Sequence, residues 1–117
     1  MRPHLALGRA GEDAAVRLFE RLGYAIVERN WRCSHGEIDV IAAGEGVVVF
    51  CEVKTRRCDE WGQPSEAVDR RKQARLRRLA GRWLAEHRGH GRAVRFDVVS
   101  IVAEGGRAEI VHIPDAF

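Results

Sequence analysis

The stretch Gly36-Glu37-Ile38-Asp39-Val40-Ile41-Ala42-Ala43-Gly44-Glu45-Gly46-Val47-Val48-Val49-Phe50-Cys51-Glu52-Val53-Lys54 reads as two strands joined by a tight turn. β-Branched residues and phenylalanine fill the arms, and Gly44 and Gly46 tolerate the positive φ that a short hairpin loop demands. The arms, residues 37–43 and 47–53, should pair antiparallel. The run from Val47 to Cys51 is apolar on both faces, as expected of a strand near the middle of a covered sheet. A two-residue loop at Glu45-Gly46 sets a register with Asp39 directly opposite Glu52, and a one-residue slip would send them to opposite faces.

Outward from the hairpin, residues 7–22 carry Ala15, Leu18, Phe19 and Leu22 at helical spacing, with Gly23 as a C-terminal stop. Residues 24–31, Tyr-Ala-Ile-Val-Glu-Arg-Asn-Trp, read as a strand. Residues 55–65, with Gly62 and Pro64, read as a loop. A long helix spans 69–88, with Asp69 as N-cap and a stripe of Leu76, Leu79, Ala80, Trp83 and Leu84, and Gly89 and Gly91 end it. Residues 94–102 and 108–113 are the last strands, joined through Gly105 and Gly106. The order αβββαββ predicts an α/β fold, a mixed five-stranded sheet flanked by helices.

The chain of 117 residues has room for one domain, 1–117. With 45% hydrophobic and 32% charged residues it fits neither a disordered nor a membrane protein. No apolar run reaches the roughly 18 residues of a membrane span, and no export signal is visible, so a cytoplasmic location is expected. Cys33, Cys51 and Cys58 are odd in number and unpaired in spacing, which points to reduced structural thiols rather than a disulfide framework or, with His35, a zinc site. The net charge of +3 is modest, but between Arg70 and Arg92 nine basic residues face one acid, Glu86. Such a stretch is either a solvated helix face or a positive field for phosphates.

Side chains alternate with period two along a strand, so Glu37 and Asp39 share one face, and Glu52 and Lys54 share a face of the next strand. Opposed carboxylates repel and lose hydration, which costs stability unless a cation or proton lies between them. Mg²⁺ or Mn²⁺, hard ions with oxygen ligands, suit that place, and Lys54 could orient an attacking water or neutralise developing charge. The alternative is a surface ion-pair cluster in which Lys54 merely satisfies Glu52 and Asp39. Glu12 extends the apolar stripe of the first helix toward the sheet, or else is an exposed first-turn acid of that helix. Lys72 and Gln73 precede Leu76 by four and three residues, which brings the positive end of the second helix to the same side. Trp61, in the loop beside the hairpin, is a candidate for stacking on a base.

The segments Gly36-Glu37-Ile38-Asp39-Val40-Ile41-Ala42 and Glu52-Val53-Lys54-Thr55-Arg56, with Gly8 and Gly11-Glu12 ahead and Gly62, Pro64, Glu66-Ala67-Val68 and Lys72 behind, resemble the YraN family of bacterial endonuclease-like proteins. The resemblance covers nearly the whole chain, from about Gly8 to Ile113. That family is similar to archaeal Holliday-junction resolvases and other PD-(D/E)xK nucleases, whose core order of helix, three strands, helix and strand matches the order above. The resemblance implies a restriction-endonuclease-like core in which Asp39, Glu52 and the backbone carbonyl of Val53 hold Mg²⁺ or Mn²⁺ and Lys54 is the catalytic lysine. Glu12 matches an accessory acid of the resolvase first helix, and Gln73 a polar residue on the helix after the motif. Ile38 stands where the motif has its nominal proline. The implied activity is hydrolysis of DNA phosphodiesters, in branched or repair-intermediate structures. Arg70, Arg71, Lys72, Arg75, Arg78 and Arg82 would bind phosphates. A homodimer and a repair or recombination partner are expected by the same analogy. The rival expectation is a catalytically silent module that binds nucleic acid or docks onto a partner.

Overall fold

The first helix, α1 (Pro3–Arg21), buries a stripe at four-residue spacing, Gly11, Ala15 and Phe19. A computed structural model of the chain describes residues 3–57, 69–87 and 92–117. At one end of the stripe the helix rests directly on the sheet. A Cβ at Gly11 would collide with Thr55 Oγ1 and lie 3.1 Å from Ile101 Cδ1, so only glycine permits this approach. At the other end Phe19 meets the rings of Tyr24 and His112 edge to face. Gly23, with φ of +92°, turns the chain out of the helix. Leu22, expected on the apolar stripe, is 53% exposed, because the helix has already ended beneath it.

The sheet runs β1 (Ala25–Cys33), β2 (Gly36–Gly44), β3 (Val47–Arg57), β4 (Ala93–Glu104) and β5 (Arg107–Ile113), and its spatial order follows the chain. All neighbours are antiparallel except β3 and β4, which are parallel. A parallel pair needs a crossover, and the connection includes α2 (Arg70–Glu86). The mixed five-stranded α/β architecture expected from the pattern is therefore present. Asp69 caps α2 by accepting the Lys72 N–H at 2.9 Å. Arg88, Gly89 and Gly91 lie outside the described residues, as do Cys58, Trp61 and the loop beyond Arg57. Thr55, Arg56 and Arg57, expected to open that loop, instead extend β3 and pair with Ile101, Val102 and Ala103.

The two helices cover opposite faces. Val48 and Phe50 of β3 pack with Leu76, Leu79 and Trp83 of α2, while Val49 and Cys51 pack with Ala15 and Phe19 of α1. β3 is thus buried on both sides, as its uniformly apolar sequence requires. Within β2 the alternation is interrupted, since Ile38 belongs to the α2 core and Val40, two residues on, to the α1 core. Asp39 stands at that interruption. Beside it in β1, Asn30 adopts a left-handed φ of 52°, and Trp31 packs toward α2 while Arg29 pairs with Asp13 of α1.

Candidate metal centre

The turn at Glu45-Gly46 sets the expected register, with Gly44 opposite Val47 and Val40 opposite Cys51. The ladder then stops, and Asp39 and Glu52 do not form the next pair. The reason is chemical. Asp39 Oδ2 takes the Val53 N–H at 2.8 Å, so a side chain occupies the donor next along β3. A carboxylate held by a backbone N–H where two strands part has a fixed position and free lone pairs.

Three carboxyl groups meet here. Oxygens of Glu12 from α1 and of Glu37 and Asp39 from β2 lie within 4.8 Å of one another, and all three side chains are half-buried. Glu12 therefore points to the sheet rather than serving as an exposed first-turn acid. Glu37 was visible in sequence as the neighbour of Asp39 two residues back on the strand, yet only the arrival of α1 gives it a place in the cluster. It also accepts from Arg32 Nε at 2.6 Å. Burial, then the charge of Glu52, push the Asp39 carboxyl up to about 8, against the Val53 N–H that favours ionisation; Glu12 and Glu37 push the same way.

Glu52 is not a member of the trio, although its charge weighs more on Asp39 than those of Glu12 and Glu37. Glu52 thus lies in the neighbourhood of Asp39 without joining the close-set oxygens of the trio. Burial raises the Glu52 carboxyl, while Lys72, Arg75 and Lys54 oppose that rise. The amino-terminal part of α2 thus supplies the positive charge acting on Glu52, and Lys54, half-buried, adds to it. Gln73 is half-buried one turn into α2, while Arg70, Arg71, Arg78 and Arg82 are exposed on the same helix. Val53 contributes its N–H to Asp39.

The donor set fits a hard divalent cation. Ligands on a six-coordinate Mg²⁺ stand roughly 2.1 Å from the ion, hence about 3–4 Å from each other, a spacing within reach of the trio. Only carboxylate oxygens converge, with no thiolate or imidazole among them, which disfavours zinc. Cys33 and Cys51 are free thiols, half-buried and buried.

Asp97, in β4, plays a structural role, holding side chains and the C-terminal segment together. It is fully buried, takes two hydrogen bonds from Arg95 at 2.8 Å, and pairs with His112 Nε2 at 2.7 Å. The Asp115 N–H completes its shell at 3.0 Å and ties the C-terminal segment to β4.

Among the described residues no helix is long and apolar enough to cross a membrane. Residues 11–101 match the model of the uncharacterised protein family UPF0102. A UPF0102 protein of Beutenbergia cavernae is 51% identical over 114 residues, 97% of each chain. One from Myxococcus xanthus is 47% identical over 94% of this chain and 87% of its own, and one from Rhodococcus opacus is 49% identical over the full length of both. With most of its length, including α1, the hairpin and α2, inside the family match, the chain belongs to the UPF0102 family, the same YraN family whose motifs it carries.

Proposed function

We propose that the chain is a divalent-metal-dependent endonuclease acting on the phosphodiester backbone of DNA in the cytoplasm, on a nuclease core of the PD-(D/E)xK kind. One observation carries the reading. Asp39 is pinned by the Val53 N–H at the point where β2 and β3 part, and burial, then the charges of neighbouring carboxyls, raises it to about 8. Such a cluster costs stability unless a cation compensates it.

Glu12, Glu37 and Asp39 would hold Mg²⁺ or Mn²⁺, with Glu52 and the Val53 carbonyl as the further ligands implied by the motif. The ion, when bound, polarises a phosphate and makes a bound water more acidic. The chain's own residues do the rest. Lys54 neutralises charge beside Glu52, and Gln73 supplies a neutral hydrogen-bonding group on the same side. Arg70, Arg71 and Lys72, with Arg75, Arg78 and Arg82, attract the backbone without reading sequence. A homodimer would present two such sites to a branched substrate.

The test is a titration of Mg²⁺ and Mn²⁺ against branched and linear DNA, with RNA of the same sequence alongside. Wild type should cleave and Asp39→Ala should lose at least about a hundredfold in rate. Absence of metal-dependent cleavage that tracks Asp39 would sink the proposal.

A second reading, a module that holds nucleic acid or docks onto a repair or recombination protein without cutting, draws on one observation. Glu52 stands outside the trio, and the charges of Lys72 and Arg75, which oppose the rise that burial imposes on it, would serve as its counter-charges in place of a metal. Equal DNA affinity of Asp39→Ala and wild type, without turnover, would favour it.

A further inference from the structure

The turn between β1 and β2 closes over α2 and leaves a cavity of about 280 Å³ lined by His35, Arg75, Arg78, Leu79 and Arg82. Arg75, Arg78 and Arg82 recur at three- and four-residue steps and so share one helix face. Leu79, only 2% exposed, forms the floor. The approach of the turn depends on Gly36. Its φ of +144° suits glycine, and a Cβ there would stand 3.3 Å from Leu79 Cδ1 and 3.7 Å from Arg75 Cδ. The wall carrying His35 is thus held against the arginines by the backbone rather than by chance side-chain rotamers.

The charge in the cavity is poorly balanced. Arg82 has one carboxylate, Glu86, at 3.6 Å, while Arg75 and Arg78 have none within ion-pair distance among the described residues. Among the described residues, three guanidinium groups with one acid at ion-pair distance leave an excess of two positive charges at the cavity wall, with Glu52 acting on Arg75 only from farther away. That excess matches the roughly −2 of a phosphate monoester better than the single charge of a diester. Guanidinium groups also present paired donors suited to phosphate oxygens. Arg82 Nη1 donates to His35 Nδ1 at 3.0 Å. Because a guanidinium cannot accept, Nδ1 must, and a neutral ring then carries its proton on Nε2 as a further donor. The volume lies just below the roughly 300–1,000 Å³ of small-ligand pockets, enough for a phosphate and part of its sugar.

We infer that this cavity is a phosphate-monoester site, the monoester being carried by the end of a nucleic-acid strand or by a free nucleotide. Arg75 belongs both to the cavity and to the charges acting on Glu52. A strand end seated there would lie beside the carboxyl cluster, and the distance between the two would set which phosphodiester reaches the acids. The inference rests on the nucleic-acid reading of α2, but not on cleavage.

The test measures fluorescence anisotropy in EDTA, so that no cutting occurs, using internally labelled oligonucleotides of one sequence with 5′-phosphate, 3′-phosphate or hydroxyl ends. Nucleoside monophosphate serves as competitor. A phosphorylated end should bind about tenfold tighter than hydroxyl ends. Arg78→Gln should abolish the difference, and Arg21→Gln, which removes one charge from α1, should keep it. Displacement by nucleoside monophosphate without any effect of strand ends would assign the site to free nucleotide. Equal affinity for all ends with no competition, or a preference that survives Arg78→Gln, would overturn the inference. Cleavage tracking Asp39 would stand in either event, which separates failure here from failure of the nuclease reading.

Discussion

Replacing Asp39 with asparagine should make the metal-free protein more stable at neutral pH. In the unfolded chain this carboxyl ionises at its ordinary value of 3.8, whereas in the fold it is raised to about 8 by burial and by Glu52. Between those values the folded state keeps a proton that the unfolded state releases, so stability falls as pH rises. The penalty is absent below the lower value and complete above the higher one. Each pH unit is worth about 1.4 kcal/mol, which sets a ceiling of roughly 6 kcal/mol over four units. Solvent reaching the half-buried group and salt around it reduce that, and about 2–3 kcal/mol is expected in practice. Asparagine removes the titration yet keeps an oxygen for the Val53 N–H. Urea unfolding followed by tryptophan fluorescence in EDTA, at several values from pH 5 to 8, should show wild type losing stability relative to Asp39→Asn as pH rises. Added Mg²⁺ should restore wild type and leave the variant unmoved. Parallel pH profiles for the two proteins, or a variant that is less stable at pH 8, would refute the reasoning.

Gly11→Ala places a methyl group against Thr55 Oγ1 and should cost about 1–3 kcal/mol in thermal unfolding. Because Glu12 is the next residue, the same variant should bind Mg²⁺ more weakly by calorimetry; an unchanged melting temperature would show that α1 is not seated as described. Asp97→Ala leaves Arg95 and His112 without their buried partner and should cost about 3–5 kcal/mol, read from the urea midpoint. Burial alone would raise the Asp97 carboxyl, but Arg95, the Asp115 N–H and His112 outweigh it and hold it below its ordinary value. Its stabilisation is therefore full above pH 3.8 and lost as pH falls through the lower folded value, so an acid-unfolding limb shared equally by Asp97→Asn would contradict that assignment.

Much of this architecture is legible in the sequence because local signals agree with one another. The doubly apolar run from Val47 to Cys51 could only be a strand with cover on both faces, and the two-residue turn at Glu45-Gly46 fixed its register with β2. Asp69 announced the start of α2 and its leucines the buried face. The end of the β2–β3 ladder was not legible. Period-two reasoning treats side chains as passengers of the backbone, whereas Asp39 competes with β2's own backbone for the Val53 N–H. Nor was the full length of β3, since Thr55, Arg56 and Arg57 look like a polar loop until β4 arrives to pair with them. The membership of Glu37 in the carboxyl trio depends on a helix 25 positions upstream, a relation that no strand pattern encodes.

The parallel pairing of β3 with β4 also governs how the molecule is assembled. Every pair in that ladder, from Val47 with Ala93 to Arg57 with Ala103, joins residues about 46 positions apart. The β1–β2–β3 meander and the β4–β5 hairpin can each form through short turns within microseconds, but joining them requires closing a far longer loop. On the ribosome, the most hydrophobic strand therefore waits with one edge unpaired until β4 has been synthesised. That interval is when the nascent chain is most exposed to pairing with a neighbour instead of with itself.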